Sequence, residues 1–540
     1  MQLYNYKNII GAALAALPLL SLTGCADLDQ DSQSDISVNT FYKSESDLQV
    51  ALNGVYQILT DRDIAGEMHG IYNNELIYFN DLQSEYARRG KANSADIAEI
   101  ANFAVTPANA FVVSTWLVHY KGINRANVLI DKAEANTSID DTYRQNVVRQ
   151  AKFLRALFYF DLVRYFGDVP LAIHDGEGEG AARTPQDDVY RQIVADLEEA
   201  EKIPVGFSNL SSVVSGDAAT GLLAKVYLWW AQADTDYSKA NQNELYSKAV
   251  TSADNLINTH RHSLNARFCD NWSQDKQNNS ELLFTAEHLF GVNRNVTGHC
   301  IFSTGFANGD NNFPVITAVD NSVRDQFDAA DQRRDATVVG HLYNPYKGED
   351  FEFERVRFRK YIDTLYMDKF ANPYESGQNT SSSVLRYAEV LLVKAEAENE
   401  LNGPTAAAYG AINEVRRRAY SNPWGASVVA TSPKDGSQRE LSGLSKEQFR
   451  EALRKERYLE FMLEGTRWFD LKRWHILVKT IKENVNRNDE YGELKYKNIS
   501  FKHYYLPIPT AQIDLNPNLT QNWGYDGQTG TSTYEQKGWQ

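Results

Sequence analysis

The chain has 540 residues, 42% of them hydrophobic and 12% aromatic, and a formal net charge of −16. That length and apolar content suffice for one or two large cores. The acidic balance argues against a general nucleic-acid binder, whose phosphate contacts need clustered Lys and Arg, and suits a domain that meets neutral ligands.

Residues 1–24 read as a secretory leader: Lys7 supplies a thin positive start, and residues 9–22 form an apolar run too short to span a bilayer. Leu22-Thr23-Gly24-Cys25 follows directly and looks like a bacterial lipobox. Small residues there admit the peptidase, and the Cys25 thiol takes the lipid. Lipidation anchors a chain to a membrane without a transmembrane helix. Residues 25–40 carry Asp27, Asp29, Asp31 and Asp35 among Ser and Gln and read as an acidic tether, with 41–540 as a single domain.

Within that domain, Leu48, Leu52, Val55 and Leu59 give residues 45–59 a helical spacing. A less regular, aromatic-rich stretch follows (Tyr72, Tyr78, Phe79, Tyr86), and Arg88-Arg89-Gly90-Lys91 reads as a polar loop. Helical patterning returns at 109–135 and 143–166. In the second of these, Leu154, Leu157, Phe158, Leu162 and Tyr165 form one face, while Phe153, Phe160 and Val163 fill much of the rest, so burial on more than one side is expected. Arg155, Asp161 and Arg164 lie among them and must be paired or at a rim. Gly167 ends the helix and Pro170 forbids its resumption.

Further helices are predicted at 187–201, 216–233 and 243–257, so that residues 109–260 resemble tetratricopeptide (TPR) hairpins without an obvious repeat consensus. Residues 265–379 are rich in Asn, Gly, Phe and Tyr, with strand-like pieces at 281–286 and 355–362. Irregular connections of that length usually carry function. Helices are expected again at 383–402, 406–419 and 446–474, and residues 504–525 read as extended chain wrapping the surface.

No GxSxG elbow, HExxH helix, P-loop or GxGxxG fingerprint is present, and neither the His nor the Cys spacing suggests a metal site, so no cofactor is expected. Pairing of Cys269 with Cys300 is left open. A glycosidase needs two carboxylates a fixed distance apart across a cleft, which spacing alone does not show. Aromatic density beside amides points elsewhere: sugar rings offer a C–H face for stacking and a rim of hydroxyls for Asn, Asp or Arg. The candidates are Tyr72; Tyr86 with Arg88, Arg89 and Asn93; Phe302, Phe306, Asn311, Asn312 and Phe313; and Tyr343 with Tyr346. Local core packing is the competing reading for each. Arg88, Arg89 and Lys91 suit an acidic sugar or, more plainly, a solvated basic loop.

Several long segments together resemble the SusD/RagB family of outer-membrane nutrient-binding lipoproteins of Bacteroidetes. They are Phe41-Tyr42 with Ala51 to Tyr56, Ile123-Asn124-Arg125-Ala126-Asn127, AKFLRALFYFDLVRYFGDVPL at 151–171, and Val189-Tyr190 with Asp196 to Ala200. In the C-terminal half they are Leu385-Arg386-Tyr387-Ala388-Glu389-Val390, Val415 to Ala419, Glu464 to Trp474, Pro507-Ile508-Pro509 and Gln521 to Tyr525. The resemblance implies a mainly α, SusD-like fold in which TPR-like paired helices support an irregular, loop-rich ligand face with minor β structure. The C-terminal framework would be 383–540. It implies a lipid-anchored, surface-exposed outer-membrane protein that binds an oligosaccharide or polysaccharide without cleaving it and caps a SusC-like TonB-dependent transporter as its lid. Family ligand contacts come from variable loops, here about 72–93 and 302–346. A peptide or another nutrient is the alternative ligand. A surface glycosidase and a purely structural scaffold are the alternative classes.

Overall fold

Residue after residue of the Asp141–Phe166 helix is apolar in its second half, and from Ala151 to Phe166 all but Lys152 are buried. A helix accepts that only with neighbours on several sides. The Ala110–Ala135, Gln186–Ala200 and Glu45–Tyr56 helices pack against it. Phe153 meets Phe284 with ring centroids 4.9 Å apart, and Tyr165 meets Phe469 at 4.8 Å. The three buried charges on this helix, Arg155, Asp161 and Arg164, are paired as their burial demands. Arg155 donates to both Asp196 oxygens at 2.7 and 2.8 Å, to Asn127 Oδ1 at 2.8 Å and to the Ile173 carbonyl at 2.7 Å. Arg164 bonds Asp161 and lies over the Phe160 and Phe469 rings, both 4.1 Å from its guanidinium carbon. Gly167 leaves the helix at φ +76°.

The computed structural model describes residues 41–60, 70–90, 94–289, 293, 295, 316–344, 348–363, 379–421, 436–527 and 530–540. The leader, Cys25, the acidic tether, Asn93, Cys300, Phe302, Phe306, Asn311, Asn312, Phe313 and Tyr346 lie outside them. Tyr42–Gln540 forms one compact unit.

Its architecture is mainly helical, as expected. Helix pairs follow one another: Ala110–Ala135 with Asp141–Phe166, Gln186–Ala200 with Gly216–Ala231, and Gly216–Ala231 with Gln242–Ile257. Tyr387–Asn402 then packs on Gln242–Ile257, Ala406–Tyr420 and Lys446–Phe461, so the C-terminal framework extends the same helical stack. Three two-stranded antiparallel sheets complete the described residues: Ala87–Arg89 with Ile316–Ala318, Leu282–Ala286 with Ser382–Arg386, and Val338–Asn344 with Glu349–Phe358. No described helix is long and apolar enough to cross a membrane.

Four boundaries differ from the sequence reading. Residues 383–386 belong to a strand, because Leu282–Ala286 needs a partner, and the helix begins only at Tyr387. The long helix read at 446–474 breaks between Phe461 and Arg467, where Leu463 and Gly465 adopt φ +63° and +69°. Residues 504–508 enter the core instead of wrapping the surface: Tyr504 and Ile508 are fully buried, and the Leu506 N–H donates to the Tyr165 carbonyl at 2.8 Å. The aromatic stretch after the first helix also folds inward, burying Ile71, Tyr72, Ile77, Tyr78, Phe79 and Leu82. Its irregular backbone is satisfied there by Lys495, whose ammonium donates to the carbonyls of Leu82, Ser84 and Ala87 at 2.8, 2.6 and 2.6 Å.

The Gly465 turn holds that inward fold against the C-terminal framework. A Cβ on Gly465 would sit 2.1 Å from Leu76 Cγ, at a φ that disfavours any side chain. Gly465→Ala is therefore expected to cost about 2 kcal/mol or more, read as a lower urea midpoint at unchanged m-value. A variant matching the parent would show that this turn is not constrained.

Candidate functional site

Burial divides the residues that sequence reading nominated. Tyr72 is 4% exposed, and its hydroxyl donates to Asp161 Oδ2 at 2.8 Å. Tyr86 is 1% exposed; its hydroxyl donates to Asp81 and accepts from the Leu463 N–H at 3.2 Å, and its ring packs edge-on against Phe358 and Tyr458. Burial pushes the Asp81 carboxyl up to about 7, although Tyr86 and the Gly465 N–H hydrogen-bond it. Neither tyrosine presents a face to solvent, so both leave the set of ligand candidates: an aromatic-rich irregular segment packs inward when its polar atoms find partners there. Arg88 pairs with Asp489, and the guanidiniums of Arg88 and Arg89 lie 4.2 and 4.9 Å from the Tyr491 ring centroid. Both belong to the strand that pairs with Ile316–Ala318 and serve as framework contacts. Tyr343, 52% exposed on the Val338–Asn344 strand, remains accessible but stands apart from the clefts described next.

An open cleft of about 470 Å³ among the described residues lies elsewhere. The first helix starts at the Ser44 cap, with Ser44 and Asp47 bonding each other's backbone N–H reciprocally, and buries Leu48, Leu52 and Val55. That leaves Gln49, Asn53 and Gln57 on the opposite side at four-residue steps, and all three line the cleft. Tyr56 and Gln150 form its wall. The Tyr56 hydroxyl donates to Gln150 Oε1 at 2.8 Å and accepts from the Val214 N–H at 2.9 Å. Phe207, Ser208 and Ser212 come from the connection before the Gly216–Ala231 helix. Thr285, Glu287 and Asn293 come from the end of the Leu282–Ala286 strand and beyond it. Asn293 is fixed by donating to Thr60 Oγ1 at 2.9 Å and to the Glu287 carbonyl at 3.0 Å.

Three features give this cleft its chemistry. Phe207 is 42% exposed, and Val205, Leu210 and Leu289 near it in sequence or at the rim segments are 73%, 50% and 56% exposed, an apolar display that water alone does not favour. The Gln57 carboxamide and Asn53 Nδ2 make no hydrogen bond among the described residues, while Asn53 Oδ1 accepts from Gln49 at 2.9 Å. One carboxylate, Glu287, lines it, so the described lining residues do not supply the pair that glycoside hydrolysis needs. Sequence reading missed this site. Its one legible signal was the Gln49, Asn53, Gln57 stripe, which a solvated helix face also shows.

A second cleft of about 320 Å³ contains Glu85, Asp320, Glu451, Arg454, Lys455, Arg467, Tyr458 and Trp474. Its charges are already engaged: Arg467 with Glu85 at 3.0 Å, Arg454 with Glu451 at 2.7 Å and Lys455 with Gln326 at 2.6 Å. Arg467 and Arg454 also cover the Tyr458 and Trp474 rings, at 4.9 and 5.2 Å. Aromatic faces so occupied offer little to a sugar. Among the described residues no group of three or more His, Cys, Asp or Glu is placed to hold a metal ion.

Comparison with known proteins agrees with this architecture. The family described as "SusD family" matches residues 316–525, and the family described as "Starch-binding associating with outer membrane" matches residues 28–228. SusD-like protein P25 of Formosa agariphila is 27% identical over 93% of this chain and 96% of its own. The starch-binding protein SusD of Bacteroides thetaiotaomicron is 24% identical over 96% of this chain and 99% of its own. The crystal structure of a SusD homolog from Bacteroides thetaiotaomicron superposes with a TM-score of 0.73 at 24% identity, covering 89% of this chain and 97% of that one.

Proposed function

The chain belongs to the SusD family, and from that premise we propose that it captures oligosaccharides at the cell surface in the cleft lined by Gln49, Asn53, Gln57, Phe207 and Asn293. The observation that carries this reading is the combination of an exposed aromatic ring with the Gln57 carboxamide and Asn53 Nδ2, which make no hydrogen bond among the described residues. Phe207 supplies a platform for the C–H face of a pyranose. Gln57 and Asn53 supply groups that donate to and accept from its hydroxyls. A binder needs nothing more, and a single carboxylate in the lining suits binding without cleavage. The starch-binding description of the matching family and of its named relative supports a glycan as the ligand.

Anchoring follows from Cys25, whose lipobox-like setting would tether the protein to the outer membrane, with the acidic stretch behind it directing it outward. Captured sugar then passes to a SusC-like TonB-dependent transporter, over which this protein acts as a lid. Weak individual contacts suit hand-over, because a ligand held by stacking and neutral hydrogen bonds also leaves.

The test is calorimetry of residues 26–540, which contain the whole compact unit, against oligosaccharides of starch, β-1,3-glucan and xylan. Binding of at least one, without product, is expected. Phe207→Ala should then weaken it about tenfold, as loss of one buried aromatic contact of about 1.5 kcal/mol implies. Stability should move by less than about 0.5 kcal/mol, since Phe207 is largely exposed. Undiminished binding by Phe207→Ala would move the site away from this cleft.

A further inference from the structure

Among its fourteen described lining residues the 470 Å³ cleft holds no Lys, Arg or His. The chain carries 55 Lys and Arg, and none of them is among these fourteen. The charge the cleft does hold is negative. Glu287 is exposed, and no described residue donates a hydrogen bond or ion pair to its carboxylate. It therefore has no counter-charge among the described residues, in a site whose other polar groups are carboxamides and hydroxyls. Those groups are matched to neutral hydroxyls, which donate and accept equally. Where a hydroxyl is replaced by a carboxylate or a sulfate ester, that group offers acceptors alone and brings its own negative charge. Among the described lining residues it would find no cation to pair with and one carboxylate to repel it, with a background charge of −16 behind that.

We propose that this cleft selects uncharged glycans over uronate- and sulfate-bearing ones, and that Glu287 is the residue that enforces the exclusion. The proposal rests on the capture reading above and narrows its ligand class. The acidic-sugar alternative raised from sequence for Arg88 and Arg89 gains nothing here, because both guanidiniums lie on Tyr491 and not in the cleft.

A matched pair of probes isolates charge: each neutral oligosaccharide of the panel, and the same oligosaccharide after oxidation of its primary hydroxyls to carboxylates. The readout is the ratio of the two affinities. In the parent protein the oxidised form should bind at least tenfold more weakly. Glu287→Gln should shrink that ratio to threefold or less, and Glu287→Lys should invert it. Raising salt from 50 to 500 mM should also narrow the parent's gap, since screening weakens exposed charge repulsion. Equal or tighter binding of the oxidised form overturns the proposal and leaves capture standing. So does a ratio that Glu287→Gln and salt both fail to move, which would trace it to the lost hydroxyl. Silence toward neutral and oxidised forms alike overturns the capture reading and this one with it.

Discussion

Replacing Arg386 with alanine is expected to cost about 3–5 kcal/mol, a large share of the stability of any domain and the largest single-residue loss on the framework. Arg386 is 1% exposed and uses every donor of its guanidinium. It reaches Glu464 Oε2 at 2.8 Å and Oε1 at 2.9 Å, Glu281 at 2.8 Å, the Glu460 carboxylate, and the Glu460 carbonyl at 3.0 Å. Arg418 shares Glu281 and Glu460 with it, Arg333 joins Glu460 to Glu456 and Asp331, and Lys360 closes on Glu464 at 2.7 Å. With Arg416 on Glu456, five cations meet five carboxylates in the core. Deleting Arg386 leaves four cations to five buried carboxylates: Glu281, Glu460 and Glu464 keep Arg418, Arg333 and Lys360 but lose five hydrogen bonds, and that surplus of buried negative charge costs far more than the pair contributes when intact.

Charge alone does not satisfy this site, so Arg386→Lys should recover only part of the loss: a compact ammonium with three donors cannot span Glu281, Glu460 and Glu464 together. Glu199→Gln, which breaks the exposed pair with Lys202, should stay within about 0.5 kcal/mol. Urea unfolding of the three variants in parallel checks all of this. An Arg386→Ala midpoint close to that of the surface control would mean that the network relaxes by taking up protons, and the argument would fail.

How far such features were legible in the sequence depends on the range over which their cause acts. The Asp141–Phe166 helix announced itself because Leu154, Leu157, Phe158, Leu162 and Tyr165 carry its period locally. That Arg155, Asp161 and Arg164 must be paired was also legible, but not that the partner of Arg155 is Asp196, 41 residues away on another helix. The break at Gly465 escaped because the contact that leaves no room for a side chain there, with Leu76, comes from the far end of the chain. Tyr72 and Tyr86 were misplaced for a related reason. Aromatic density beside polar residues describes a sugar platform and a buried hydrogen-bonded cluster equally well, and only Asp161 and Asp81 decide between them. The cleft itself brings together residues 49, 207, 287 and 293, and no local pattern links those positions.

Acid should expose a second large effect, carried by Glu396. This carboxylate is 3% exposed and accepts from Arg473 Nη2 at 2.8 Å, Trp474 Nε1 at 2.8 Å and Gln232 Nε2 at 2.9 Å. Burial alone would raise its pKa; the charge and hydrogen bonds of Arg473 outweigh burial and hold it at about 2. In the unfolded chain the same group titrates near the ordinary glutamate value of about 4.3. Between those two values the unfolded state binds the more protons, so stability rises with pH through the window, is complete above it, and is lost as pH falls toward 2. The amount at stake is about 3 kcal/mol. Glu396→Gln keeps the shape but cannot neutralise Arg473, which retains Asp470 at 2.9 Å as its remaining counter-charge. The variant should therefore lie about 3 kcal/mol below the parent at pH 7 and equally far below at pH 5, with the gap closing progressively by pH 3. Urea titrations at those three pH values decide it. A gap that stays constant down to pH 3 would show that Glu396 contributes shape and hydrogen bonds and not its charge, and the ion pair with Arg473 would lose its claim on the acid stability of the fold.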